Sequence, residues 1–310
     1  MNASVDTGKL NRSAAFASIA VAVLLVGLKA WATWKSGSTA MLGSLADTAL
    51  DLIASIATLA GVWVAAQPAD EEHRFGHGKA EALAAIFQVL LISLSAFSIM
   101  VRAVSQLIAG ARPEGAQEGI TVSAIALVAT LGLLAWQRHV IRRTESIAIE
   151  TDHLHYKSDL LLNLAVIAAL VLDRYAGFAA ADPLFGIGIA LWLGWGAWQA
   201  SAKAIDHLMD REWPDEKRER FLKVLARHPE LRGVHDLRTR TSGNRDFVQF
   251  HVWVDGAMTV RHAHQVMDDI EAKLKAEFPD IEILIHPDPE GHVDPGLGAV
   301  NVLPGAAGQG

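Results

Sequence analysis

The sequence predicts an α-helical membrane protein: six transmembrane helices followed by a small cytoplasmic α+β domain of element order αββαβ. Three observations carry that expectation. Of 310 residues, 51% are hydrophobic and only 20% charged, and mean hydropathy is +0.26, whereas a soluble chain is nearer a quarter charged. Six apolar stretches recur before residue 209. Beyond that point charged segments with short helical and strand periods take over.

The stretches follow in order. Residues 14–34 carry Lys29 as their sole charge, 40–67 carry Asp47 and Asp51, and 82–108 carry Arg102. Residues 120–137 and 183–200 carry none. The remaining one, 160–172, is too short as it stands, since a spanning helix needs about 20 residues at ~1.5 Å rise each. It must take its first turns from the polar run Glu150 to Asp159, which draws His155 and Asp159 into the membrane. The first stretch exceeds a signal-peptide core and lacks a small-residue cleavage site after it, so it is expected to stay. Lys9, Arg12, Arg74, Lys79, Arg138, Arg142, Arg143, Lys203 and Arg211 flank one set of helix ends, against Lys35, Arg112 and Arg174 at the other. That asymmetry puts both termini in the cytoplasm.

Within the soluble part, 214–227 opens with proline and acids and continues with a helical period. Residues 234–241 read as a strand. In 246–254, Val248, Phe250, Val252 and Val254 share one face, and Gln249, His251 and Trp253 share the other. Met267, Ile270, Leu274 and Phe278 mark a helix in 258–278, and Ile281, Ile283 and Ile285 point a last strand inward. The expected organisation is a six-helix membrane domain over 1–208, a cytoplasmic domain over 209–292 and a disordered Gly/Ala/Pro-rich tail over 293–310.

Several function classes drop out. The chain has no cysteine, which excludes disulfide frameworks, thiolate zinc fingers, iron–sulfur clusters and cysteine nucleophiles. A net charge of −7 argues against a nucleic-acid partner. No P-loop, dinucleotide fingerprint or nucleophile–base motif stands out, so an enzyme is not expected.

The membrane segments nevertheless hold a chemical constellation. Asp47 and Asp51 lie four apart on one helix, and His155 and Asp159 repeat the spacing on another. A carboxylate at mid-bilayer costs at least ~2.5 kcal/mol, so three of them require compensation. Counting inward from residues 40 and 172 puts Asp51 ~16 Å and Asp159 ~20 Å below the outer surface, on helices running in opposite directions. The two pairs can therefore meet. Three carboxylates and one imidazole around a point suit a tetrahedral divalent metal of the zinc type. The same groups draw in protons when empty and lose them to a bound dication, so metal and protons compete for one site. A single aspartate of this kind is often a cap or interhelical hydrogen bond, but the paired motifs at matched depth are hard to explain that way. Asn163, one turn further, is read as an outer partner of the ligands or a helix–helix contact rather than a ligand.

Two further clusters are weaker. In the loop Asp70-Glu71-Glu72-His73-Arg74-Phe75-Gly76-His77, the residues Asp70, His73 and His77 could close on one ion or form a solvated loop. In the soluble part, His235, His251, His264, His286 and Asp288 fall on strand ends, the polar strand face and the helix; each histidine alone could equally be a satisfied surface or core residue. His153, His262 and His292 are read as surface residues.

D-x-x-x-D in the second span, H-x-x-x-D in the fifth, the loop H-R-F-G-H-G-K-A-E and the later H-D-L-R-T-R resemble, over about residues 10–290, the zinc/proton antiporters of the cation diffusion facilitator family. The resemblance implies a bacterial inner-membrane homodimer that exports zinc, and also cadmium, against protons by alternating access, with Zn2+ both cargo and regulatory ion. It implies a transport site of Asp47, Asp51, His155 and Asp159, a loop site of Asp70, His73 and His77, and a cytoplasmic binuclear site of His235, His251, His264, His286 and Asp288 in a metallochaperone-like fold. Lys79 and Asp210 match an interlocking salt bridge at the dimer interface. Pro287 departs from the pattern, standing where relatives carry a polar residue. Open alternatives are export of ferrous iron or manganese by the same mechanism, or a membrane-anchored metal sensor.

Overall fold

A computed structural model describes residues 3–36, 39–109, 120–178, 180–228 and 231–292. The expected tail 293–310 lies outside the described residues. The chain divides into two units, one over Asp6–Ile205 and one made chiefly of Asp206–Gly310.

The first unit holds six long helices: α1 (Ala3–Ser36), α2 (Thr39–Ala65), α3 (Ala80–Ala109), α4 (Ile120–Thr144), α5 (Ile147–Ala176) and α6 (Ala181–Leu208). Among the described residues, Thr7–Lys35, Ser44–Ala65 and Ala80–Ala109 are long and apolar enough to cross a bilayer, by length and composition alone. As the short apolar core 160–172 required, α5 extends N-terminally through the polar run and holds His155 and Asp159 in continuous helix. Leu90, Leu94 and Phe97 of α3 face outward and exposed, as expected of a surface that meets lipid.

Contacts between these helices use small residues. Gly61 of α2 lies so close to α3 that a Cβ built on it would sit 2.4 Å from Ala84 Cβ and 3.1 Å from the Ala80 carbonyl oxygen. Such close approach is how helices gain packing in lipid, where apolar burial gives no preference for one another. Gly61→Ala should force α2 and α3 apart and cost about 1–3 kcal/mol, the usual range for overpacking. A lowered thermal aggregation temperature of the detergent-solubilised protein is the check.

The second unit contains α7 (Asp215–Leu225), β1 (Gly233–Ser242), β2 (Arg245–Val254), α8 (Val260–Glu277) and β3 (Ile281–Pro289). The three strands lie in the order β1-β2-β3, antiparallel then parallel. The parallel pair needs a crossover, and α8 supplies it. Thr259 caps α8 by accepting from the His262 N–H. The periodicity is met: Val248, Phe250, Val252 and Val254 are buried against Phe221, Leu225, Met267, Ile270, Leu274 and Phe278. The rings of Phe221 and Phe250 meet edge-to-face at 5.6 Å. Pro287, which cannot donate to a ladder, falls on the edge strand β3.

Candidate metal centres and the family

On α2 and α5 the four-residue spacings bring Asp51, His155 and Asp159 together, with one ligand atom of each within 4.8 Å of the others. His155 Nε2 lies 2.9 Å from Asp51 Oδ1 and 3.7 Å from Asp159 Oδ2. Asp47, one turn from Asp51, is exposed and outside that three-residue group. The side chains grade in exposure, 8% for His155, 22% for Asp51 and 35% for Asp159. Asn163 Nδ2 donates to the Asp159 carbonyl one turn back on its own helix. Lys29, the lone charge of the first apolar stretch, donates to Thr48 Oγ1 at 2.6 Å, one residue past Asp47.

Below this group lies a buried carboxylate that the sequence reading passed over. Asp152 is fully buried and accepts from Ser18 Oγ at 2.6 Å, Gln88 Nε2 at 2.7 Å and Gln137 Nε2 at 2.7 Å. Gln88 Nε2 also donates to Thr58. His153, expected at the surface, has its Nδ1 3.2 Å from Gln137 Oε1. Tyr156 donates to the Ser18 carbonyl, and its hydroxyl lies 2.9 Å from Ser55 Oγ. A second buried carboxylate, Glu81, accepts from Asn11 and Ser146. The available signal was helical spacing: Asp152, His155, Tyr156 and Asp159 stand at i, i+3, i+4 and i+7 on one stripe of α5.

In the loop before α3, Asp70 gathers both histidines. Its carboxylate oxygens lie 3.3 Å from His73 Nδ1 and 3.3 Å from His77 Nε2. The backbone N–H of His73 donates to Asp70 at 2.6 Å, and this bond chiefly holds the Asp70 carboxyl below its usual range. Gly76, at φ 79°, closes the turn with its N–H on the His73 carbonyl.

The third group follows from register. His235 pairs with His251, and His251 with His286, so three histidines stand side by side across β1, β2 and β3 on the face away from the core. Their rings lie 5.2 Å and 4.6 Å apart, centroid to centroid. Buried Asp288 ties the row together, 2.8 Å from His251 Nδ1, 3.3 Å from His235 Nε2 and 3.3 Å from His286 Nε2. His235, His251 and Asp288 form the tight group, while His286 sits at its exposed edge. His264 is not among them: it is largely exposed and faces Asp268 along α8, the helix whose apolar stripe packs against the opposite face of the sheet. A bulge between His235 and Arg238 swings Asp236, at φ 47°, to within 3.9 Å of His251 Nε2.

His235 shows what this pocket suits. It is fully buried, its Nδ1 has no hydrogen-bond partner, and its Nε2 has only the Asp288 carboxylate 3.3 Å away, out of good hydrogen-bond geometry. Burial is the main cause that pushes its pKa down, against the pull of Asp288. A neutral buried imidazole with a free lone pair is what a metal ligand must be. The depressed value also sets a pH dependence. The unfolded chain takes up a proton at its ordinary ~6.5 while folded His235 does not, so stability rises with pH across that window and is lost as pH falls through ~6.5. Strand amides of the EDTA-treated protein should therefore exchange faster at pH 5.5 than at 7.5, after correction for intrinsic rates.

Asp210 accepts from Arg240 Nη1 and adopts φ 55° just after α6. Lys79 precedes α3 in the other unit.

Residues 15–209 match the cation efflux transmembrane domain, and 213–290 match the cytoplasmic domain of cation efflux proteins. The chain belongs to the cation efflux family. It is 41% identical to the cation-efflux pump FieF of Cronobacter sakazakii over 92% of this chain and 94% of that one. It is 42% identical to FieF of Pectobacterium atrosepticum over 89% and 92%. Among solved structures, it is similar to the metal-bound C-terminal domain of the CzcD transporter from Thermotoga maritima, at 31% identity over 26% of this chain and 93% of that one, with TM-score 0.25. This cation efflux protein is a membrane-embedded transporter of divalent metal and not an enzyme.

Proposed function

We propose that this cation efflux protein exports zinc, and also cadmium, from the cytoplasm in exchange for protons, as a homodimer that alternates between inward and outward openings. Residues 1–208 are its transport domain and 209–292 its cytoplasmic metal-binding domain, with both termini cytoplasmic in a bacterial inner membrane. The observation that carries this reading is the approach of His155 Nε2 to Asp51 and Asp159 across two helices. Two carboxylates and an imidazole offer a borderline dication the mixed O/N set it favours, with Asp47 one turn away as the fourth ligand. The imidazole tilts selectivity from manganese, for which all-carboxylate sites are more natural.

Coupling follows from competition. An imidazole and carboxylates must shed protons to bind metal, and after metal leaves on the far side protons return to the same atoms. The cytoplasmic group of His235, His251, His286 and Asp288, with His264 as a further candidate, binds zinc as a sensor that tightens the dimer. Lys79 and Asp210 supply an ion pair between protomers. The loop group of Asp70, His73 and His77 is an auxiliary metal site.

The test is proteoliposome uptake of zinc, cadmium, iron and manganese under an imposed pH gradient. Zinc uptake accelerated by a lumen more acidic than the bath is the expected result. Uptake indifferent to the gradient would remove proton exchange, and movement of iron alone would remove zinc.

A further inference from the structure

Along the facing stripes of α2 and α5 exposure falls toward residues 55–58 and 152–156, with Thr48, buried beneath Lys29, the exception. Asp47 and Asn163 are exposed, Asp51 and Asp159 partly so, and Ser55, Thr58, Asp152 and Tyr156 are buried. With the orientation proposed above, the metal group is open away from the cytoplasm and sealed on the cytoplasmic side. The seal is centred on Asp152.

We propose that Asp152 is a positioning residue that acts as a polar latch, closing the cytoplasmic access to the transport site in this conformation and releasing when that access opens. This rests on the transport reading above. Its two oxygens take three bonds from three different helices: Ser18 on α1, Gln88 on α3 and Gln137 on α4. Through Gln88 and Thr58 the same network reaches α2, so one carboxylate on α5 ties the other four helices of the group. All three donors are neutral, and no cation donates to Asp152 among the described bonds. A carboxylate at this depth is costly to strand, which makes the latched arrangement hold as a unit.

Two features fit a joint that parts over one that is permanent. Gln88 Oε1 is buried with no partner, so the closed network leaves one acceptor unmet that water could satisfy on opening. The latch also lies three residues before His155 on the same stripe of α5. A helix shift that separates Asp152 from Ser18 and Gln137 therefore moves His155 and Asp159 with it. Toward the cytoplasm lie an apolar layer of Ala14, Ala15, Val62, Ala84, Val140 and Ile149 and, at the helix ends, the bonds of Glu81 to Asn11 and Ser146.

The test uses the full chain, whose lack of native cysteine makes a single reporter clean. Ala54→Cys places a thiol on α2 between Asp51 and Thr58, at a buried position. In everted membrane vesicles a membrane-impermeant maleimide reaches it only from the cytoplasmic side. Adding Asp152→Asn to this parent should speed labelling roughly tenfold, the shift expected from weakening hydrogen bonds to a buried carboxylate. Maximal zinc uptake should fall, with zinc still bound by the detergent-purified protein. If Asp152→Asn does not assemble, Ser18→Ala and Gln137→Met each remove one donor and should raise labelling by a smaller factor. Labelling within twofold of the parent in every variant that assembles overturns the latch, whatever happens to uptake. A parent that moves no zinc overturns the transport reading instead, and the labelling comparison still decides the latch.

Discussion

Asp51→Ala or Asp159→Ala should lower zinc uptake into proteoliposomes by at least ~100-fold, since even outer-shell partners of metal ligands commonly account for 10–100-fold. The protein should remain folded and monodisperse. Each substitution removes one of the two carboxylates that flank His155 Nε2, at 2.9 Å and 3.7 Å. What remains of the tight group is one carboxylate and one imidazole, and even with Asp47 drawn in from one turn away the set is one ligand short of a tetrahedral site. Retained fold is part of the expectation, because neither residue holds helices together as Asp152 does: Asp51 and Asp159 are partly exposed, and deleting a carboxylate there relieves a desolvation cost. Asp47→Ala should be milder, since Asp47 lies outside the tight group and would have to be drawn in by the ion. Near-normal uptake by both Asp51→Ala and Asp159→Ala would refute the assignment.

The legibility of this molecule divides along physical lines. Lengths and periods were readable because they answer to solvent. The bilayer demands long apolar helices, which forced α5 to begin well before Leu160, and the sandwich demands the alternation seen from Val248 to Val254. The metal motifs were readable because four-residue spacing fixes a helix face before any packing is known. Three things were not. Asp152 belongs to a network whose partners come from positions 18, 88 and 137, and no local spacing ties those together. The row of histidines in the sheet depends on strand register, which the sequence leaves undetermined until both ladders are built. The placement of His264 is the third: it stands on α8 facing Asp268, off the row of histidines in the sheet.

That register makes the second large prediction. Asp288→Ala should abolish the slowing of strand amide exchange that zinc produces in the full chain. Metal that binds only the folded unit stabilises it by about 2.7 kcal/mol at a concentration 100-fold above Kd, which slows exchange through unfolding about 100-fold. Asp288 is the residue on which the effect turns, because its carboxylate alone touches all three histidines of the row, at 2.8, 3.3 and 3.3 Å. Without it His251 and His235 lose their shared anion, and the ligand set falls to neutral imidazoles of which one, His286, lies at the exposed edge. His286→Ala should therefore keep part of the protection, and His264→Ala nearly all of it. An Asp288→Ala protein that zinc still protects as strongly as the parent would show that the ion is held elsewhere on the sheet. Protection lost equally in His264→Ala would instead mean that α8 reaches the metal once it binds, through a rearrangement of the helix against the sheet.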